Sequence, residues 1–535
     1  MKITLKRVLA VMPLFLLFFL TGKEVKADTN DGFTYPSAYG WWNETGYDAN
    51  KIAERTVSGD FNGDGKEDVA AMYDYGNGES RIHVFLSTGS SFSYPSGYGW
   101  WSETGYDAGK LKGRMVAGDF NGDGKDDIAG MYDYGNGESR IHVFLSTGSS
   151  FSYPSAYGWW NETGYDANKI TGRMVAGDFN GDGKDDIAGM YDYGNGESRI
   201  HVFLSTGSSF SYQSAYGWWN ETGYDANKIT GRMVAGDFNG DGKDDIAGMY
   251  DYGNGESRIH MFLSTGSSFS YPSAYGWWKE TGYDANKITD RMVAGDFNGD
   301  GKDDIAGMYD YGSGESRIHM FLSTGSSFSY PSAYGWWHET GYDAKRVAGR
   351  MVAGNFNGTG GEDIATIYDY GNSESRVHIF LSNSTSSPSS KADVEKLLNV
   401  ARNEIGYHEI GNNWTKYGAW YPMQNQPWCA MFVSWCANQA GISTDIIPKH
   451  ALCQTGANWF MNRGLWNYRG SYTPKPGDII YFYYSGAINH VGIVESVSDS
   501  YVQTIEGNTS DQVARRTYSF GDSRIAGYGS PQYTS

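Results

Sequence analysis

The chain has 535 residues, a formal net charge of −20 and only three cysteines. The acidic surplus argues against a nucleic-acid partner. So few cysteines exclude a disulfide-rich scaffold and leave at least one free thiol unless chains cross-link.

Lys2, Lys6 and Arg7 precede an apolar run from Val8 to Leu20, followed by Val25-Lys26-Ala27, whose small residues suit a signal peptidase. Residues 1–27 read as a cleaved secretory signal. The apolar run would rise only about 20 Å as a helix, against the roughly 30 Å of a bilayer core. No later stretch is long and apolar enough to span a membrane. The expected protein is therefore secreted, begins near Asp28 and, without the leader's five basic and one acidic residues, carries −24.

From Phe33 onward a unit of 59 residues recurs, opening at Phe33, Phe92, Phe151, Phe210, Phe269 and Phe328. Within it, "RMVAGDF", "DIAGMYDYG" and "RIHVFLSTG" are short, rich in β-branched and aromatic residues, and separated by Gly/Asn/Asp turns, as strands are. "FSYPSAYGWW" supplies a candidate fourth strand, which its proline places at an edge. Four strands per unit fit a propeller blade, so residues 33–382 are expected to form an all-β propeller of six blades.

Each of the first five units carries an Asp-x-Asn-x-Asp-Gly-x-x-Asp loop. The loop oxygens are Asp60, Asn62, Asp64 and Asp68; Asp119, Asn121, Asp123 and Asp127; Asp178, Asn180, Asp182 and Asp186; Asp237, Asn239, Asp241 and Asp245; and Asp296, Asn298, Asp300 and Asp304. Oxygen side chains at loop positions 1, 3, 5 and 9 suit a hard cation, with structural Ca2+ the natural occupant. Three clustered aspartates repel one another unless something neutralises them, which hairpin turns alone do not explain. Position 12 of an EF-hand would be Ala71 instead of a bidentate Glu, so that motif is excluded. The loop "DFNGDGKDD" resembles that of FG-GAP or VCBS repeats, the blades of integrin-α-like propellers. The sixth copy departs from it, with Asn355 and Thr359 at positions 1 and 5, and leaves its calcium occupancy open.

Adjacent tryptophans, Trp41-Trp42 through Trp336-Trp337, occur once per unit. In an extended segment they face opposite sides. They serve either blade-to-blade packing or, as a repeated aromatic platform, sugar stacking. His83 and its counterparts alternate within a strand and read as structural.

Residues 383–390, "NSTSSPSS", read as a linker. A helix is expected next, with Ser390 and Asp393 as a capping box, Val394, Leu397, Leu398, Ala401 and Ile405 on one face, and Gly406 as its stop. "PWCAMFVSWCANQAG" predicts another helix, placing Cys429 in its first turn, where free N–H groups and the helix dipole stabilise a thiolate, and Cys436 two turns deeper. Cys436 and Cys453 read as buried structural residues or as a disulfide pair. Zinc held by His450 and Cys453 is a weaker alternative, since the cysteine spacings do not fit structural zinc sites.

A nucleophilic thiol needs a base and the base an orienting group. "HVGIVESV" and "YVQTIEGN" read as a hairpin turning about Asp499, which sets His490 opposite Asn508 and puts Glu506 on the same face. "PWCAMFVSWC", "PKPGDIIYF", "NHVGIVE" and "IEGN", in this order, resemble the CHAP domain (cysteine, histidine-dependent amidohydrolase/peptidase) of bacterial cell-wall hydrolases. The resemblance implies a papain-like α+β fold over 391–535, with Cys429 as nucleophile, His490 as general base and then acid, Glu506 orienting the imidazole and Asn508 as a further polar member. It implies peptidoglycan as substrate. An oxyanion hole is expected from the Cys429 N–H and one side chain, Gln424 or Gln426. The sequence thus points to a secreted peptidoglycan amidase or endopeptidase whose calcium-bearing propeller targets a cell-wall glycan or other surface polymer. The alternative is an adhesin or lectin with a minor or inactive hydrolase domain.

Overall fold

A computed structural model describes residues 32–533, apart from 36–39, 95–98, 154–157, 213–216, 273–274, 332–334, 385–387, 485 and 499–500. The expected signal segment, 1–27, lies outside the described residues.

Each repeat builds three antiparallel strands, in the first copy Thr56–Gly59, Asp68–Gly76 and Glu79–Ser87. Asn77 and Gly78 join the last two at φ +53° and +76°, the two-residue turn whose twist matches a hairpin.

The expected fourth strand is split, and it completes the preceding blade, not its own. Phe92–Ser93 and Trp101–Thr104 both pair with Glu79–Ser87. Pro95 falls between them, outside the described residues. The last blade is accordingly finished by the start of the propeller: Phe33–Thr34 and Trp42–Thr45 pair with Glu374–Ser382. Closure is also visible around the axis. The backbone N–H groups of Gly113, Gly172, Gly231, Asp290 and Gly349 each donate to the equivalent carbonyl one blade back, and Glu54 donates to Gly349, all at 2.8–3.0 Å. The six units therefore form a closed six-bladed propeller.

Aromatic side chains fill the gaps between blades. Trp101 packs edge-on against Phe144 at 4.8 Å, and Tyr153 stacks on Phe144 at 5.0 Å. The second tryptophan of each pair is buried, while the first is half-buried, as Trp100 is against Phe151 at 5.5 Å. Both members of the pair thus take part in interblade packing. His83 is buried between the hydroxyls of Tyr47 and Tyr75, at 3.3 and 3.2 Å, and burial lowers its pKa to about 4. It is a neutral structural histidine.

The C-terminal unit contains α1 (Pro388–Arg402), α2 (Lys416–Trp420), α3 (Cys429–Gln439) and α4 (Cys453–Asn462). Its strands are β1 (Trp466–Tyr468), β2 (Ile479–Tyr484), β3 (Ala487–Val497), β4 (Tyr501–Glu506), β5 (Ala514–Ser519) and β6 (Ile525–Gly529). They form one antiparallel sheet in the order β1-β6-β2-β3-β4-β5, with α3 and α4 packed against β3. This is the α+β fold expected. Helix α1 starts earlier than the expected capping box: Pro388 is its first residue, a position that needs no N–H. Residues 388–390 are therefore helical instead of linker. Leu397, Leu398 and Ala401 are fully buried, as the face pattern requires. Among the described residues no helix is long and apolar enough to cross a membrane.

Candidate active site

Helix α3 begins at Cys429, so the thiol sits beside N–H groups that have no intrahelical acceptor. The residue before it fixes that position. Trp428 is fully buried, stacks on Tyr417 at 5.2 Å and donates its indole N–H to Glu409 at 2.9 Å.

Strand β3 brings His490 to the same place. His490 Nε2 lies 2.8 Å from Glu506 Oε2, and Thr504 Oγ1 donates to the other Glu506 oxygen at 2.6 Å. Glu506 has no exposed surface. Two glycines make this possible. A Cβ on Gly492 would come within 2.6 Å of Glu506 Cγ, and one on Gly507 within 2.6 Å of Phe432 on α3. The expected register holds here, with Ile493 opposite Ile505 and Val494 opposite Thr504. A bulge at Glu495 then shifts the far end by one residue.

Nε2 is engaged by Glu506, which leaves Nδ1 as the ring nitrogen available to Cys429. Cys429 is held well below the usual thiol range, first by a hydrogen bond from Cys453, against burial, and then by His490. Burial works against charge on His490, but hydrogen bonds to Cys429 and Glu506 raise it to about 10. These directions favour the thiolate of Cys429 and the imidazolium of His490. Both line an open cleft of about 360 Å³ together with Pro427, Tyr484, Asn489, Asn508, Thr509 and Ser510.

Of the expected site residues, Cys429, His490 and Glu506 come together. Asn508 lines the cleft, but its amide donates to Asn413 at 3.3 Å and not to His490. Gln424 does not serve as an oxyanion donor: its amide bonds both the N–H and the carbonyl of Thr415. Gln426 is exposed and is not among the residues lining the cleft. The alternative pairing of Cys436 with Cys453 is overturned, because Cys453 Sγ lies 3.5 Å from Cys429 Sγ and all three cysteines are free. Sequence reasoning missed this contact. The available signal was that Cys453, like Cys429, opens a helix.

In the first repeat loop two of the four oxygen side chains have partners within the protein. Asp60 accepts from the N–H groups of Gly63, Asp64 and Gly65, and Asp64 pairs with Lys66. Asn62 Oδ1 and Asp68 Oδ2 are buried without a partner, as are Asn121 with Asp127 and Asn239 with Asp245. Burial raises Asp68 to about 8. Such orphaned oxygens fit a hard cation. In the third and fifth loops, Asn180 and Asn298 instead donate to Asp186 and Asp304. In the sixth, Asn357 and Asp363 are satisfied within the loop, by Thr359 and the Asn357 N–H. Among the described residues no group of three or more His, Cys, Asp or Glu side chains has metal-site geometry, which includes His450 with Cys453.

The CHAP domain model matches residues 420–508, and the FG-GAP-like repeat model matches 60–130, 119–189, 178–248 and 237–307. No curated protein matches the chain. Among solved structures, AofleA from Arthrobotrys oligospora is 10% identical over 64% of this chain and 87% of its own, with a TM-score of 0.39. The Aleuria aurantia lectin, in complex with alpha-methyl-L-fucoside, is 13% identical over 64% of this chain and 99% of its own, with a TM-score of 0.37. Ly7917, solved with the hydrolyzing product of MDP, is 20% identical over 26% of this chain and 62% of its own, with a TM-score of 0.18. The polypeptide thus joins FG-GAP-like repeats to a CHAP domain, a domain that indicates an amidohydrolase or peptidase.

Proposed function

We propose that this is a secreted peptidoglycan hydrolase, with Cys429 as nucleophile and His490 as general base and acid. The observation that carries the reading is the convergence of Cys429, His490 and Glu506 on one open cleft within the CHAP match. The Cys429 thiolate attacks an amide carbonyl, forming the S–C bond, and His490 hands its proton to the departing amine. Water then attacks the thioester, giving its proton to His490 and releasing the carboxylate. Glu506 keeps the imidazole oriented and stabilises its charged form. The Cys429 N–H, first in its helix, is the backbone donor for the oxyanion. The scissile bond lies either between muramic acid and L-alanine or within a stem or cross-bridge peptide.

In the propeller, Asn62 and Asp68 with their counterparts would hold calcium, a structural ion that neutralises the buried loop oxygens. Purified protein is expected to clear cell-wall suspensions and Cys429→Ala to fail; equal clearing by both rejects the reading. Mass spectrometry of the released fragments identifies the bond.

A second reading, a surface-binding lectin or adhesin, is favoured by one repeated feature. In five blades an exposed tyrosine lies under an arginine, as Tyr75 does under Arg81 at 4.4 Å. Such planar groups repeated around a ring suit a polymeric glycan. Absence of wall binding by a Cys429→Ala chain counts against it.

A further inference from the structure

Helices α3 and α4 each start at a cysteine, and the two starts meet. Cys429 Sγ and Cys453 Sγ are 3.5 Å apart, in contact but unbonded. A disulfide requires about 2.05 Å, so closing it needs the two sulfurs to approach by about 1.5 Å. The third cysteine, Cys436, lies two turns along α3 with no exposed surface. Only Cys429 lines the open cleft, and Cys453 stands directly behind it.

From this contact we infer that Cys429 and Cys453 form a reversible dithiol–disulfide couple, a redox-modification site that takes a hydroperoxide as oxidant and disables the nucleophile while oxidised. The inference rests on the proposed role of Cys429 for its effect on activity, but not for its chemistry. The Cys429 thiolate attacks one peroxide oxygen; the S–O bond forms, the O–O bond breaks, and the departing hydroxide takes a proton to become water. The Cys453 sulfur, losing its proton, then attacks the Cys429 sulfenic acid; the S–S bond forms, the S–O bond breaks, and the hydroxide takes that proton as a second water. Two thiols lose two electrons and one peroxide gains them.

The environment favours this order. Cys453 is kept protonated first by its hydrogen bond to Cys429 and then by burial, so it is inert while Cys429 is a thiolate. Formation of the sulfenic acid removes the negative neighbour, and the N-terminus of α4 then favours the Cys453 thiolate. The second thiol also protects the first, because a disulfide is reducible whereas a sulfinic acid is not.

The test treats the reduced full-length chain with hydrogen peroxide and reads both intact mass and wall clearing. Oxidation is expected to lower the mass by about 2 Da, the two hydrogens removed. It is also expected to leave one of the three thiols titratable after denaturation, and to give a cross-linked peptide containing Cys429 and Cys453. Clearing falls by about tenfold or more and returns with dithiothreitol. In Cys453→Ser, activity measured against that variant's own untreated rate is lost without recovery, with oxygen atoms added at Cys429. A cross-link involving Cys436, or Cys429 oxidised to a sulfinic acid in the parent chain while Cys453 stays a thiol, overturns the inference. If the cross-link forms in a chain that never clears walls, the hydrolase reading fails and the couple stands.

Discussion

Glu506 grips His490 from beneath: its Oε2 is 2.8 Å from Nε2, and it has no exposed surface of its own. A carboxylate so placed acts on the imidazole in two ways. It selects the nitrogen that faces the sulfur, and it favours the protonated ring.

The second effect sets a pH limit. His490 is raised to about 10, against burial, by hydrogen bonds to Cys429 and Glu506. A raised folded pKa contributes stability that is complete below the unfolded value of 6.5 and disappears as pH climbs through about 10. Activity that requires the imidazolium is therefore expected to hold through neutral pH and fall on the alkaline side near 10. Glu506→Gln keeps the size of the side chain but removes its charge. It is expected to lower kcat/KM roughly 10²-fold and to shift the alkaline limb to lower pH. A pH–rate profile of both proteins checks this, and an unmoved limb would show that Glu506 does not act on His490.

Calcium is expected to act through the loops with orphaned oxygens. An ion at a hundredfold its Kd stabilises the form that binds it by about 2.7 kcal/mol per site, so chelator should lower the melting temperature of the propeller transition. Asp127→Asn in the second loop should remove one ion from the titrated stoichiometry. Asp363→Asn in the sixth should remove none, because Asp363 already accepts from the N–H and the amide of Asn357 within that loop. A melting curve indifferent to calcium and chelator alike contradicts the proposal.

Repeats, turns and the Cys429, His490 and Glu506 set were legible because each leaves a local mark: a fixed period, Asn-Gly between apolar runs, a polar residue in an apolar strand. The Ile493–Ile505 register followed from symmetry about the turn. What escaped was decided by tertiary placement. That Trp101–Thr104 completes the blade of the preceding repeat depends on how neighbouring units pair, which a periodic sequence leaves ambiguous. The contact of Cys453 with Cys429 depends on two helix termini separated by 24 residues meeting in space. The bulge at Glu495 answers to two arginines, one of them outside the sheet on α1.

That bulge yields a stability prediction. Glu495 is 4% exposed and accepts from Arg402 at 3.0 Å and from Arg515 at 2.7 and 2.8 Å. Burial alone would raise its carboxyl, but Arg515 and Arg402 hold it below 4.5. A depressed folded pKa contributes stability above the unfolded value that is lost as pH falls through the folded one. Glu495→Ala removes the carboxylate that Arg402 and Arg515 share, and is expected to cost about 3–5 kcal/mol. Arg515, nearly half exposed, should cost only about 1 kcal/mol when replaced by Ala. Calorimetry of the C-terminal transition measures both, and similar costs for the two would refute this ranking.

The propeller's closure gives the last test. Its final blade has no outer edge of its own: Glu374–Ser382 is covered by Phe33–Thr34 and Trp42–Thr45 from the far end of the propeller. Trp42 also packs against Phe85 of the first blade at 4.8 Å, so one short segment ties two blades together. Removing residues 28–45 would strip that cover and leave a nine-residue strand with free N–H and C=O groups, a template for pairing with another chain. Removing only residues 28–31 touches none of these contacts. Light scattering is expected to show the longer deletion associating into larger species than the full chain and the shorter one unchanged. The milder variant Trp42→Ala keeps the backbone pairing and should cost about 3–5 kcal/mol without association. If the longer deletion scatters and melts as the full chain does, the ring is held by its axial hydrogen bonds and blade packing, and not by this clasp.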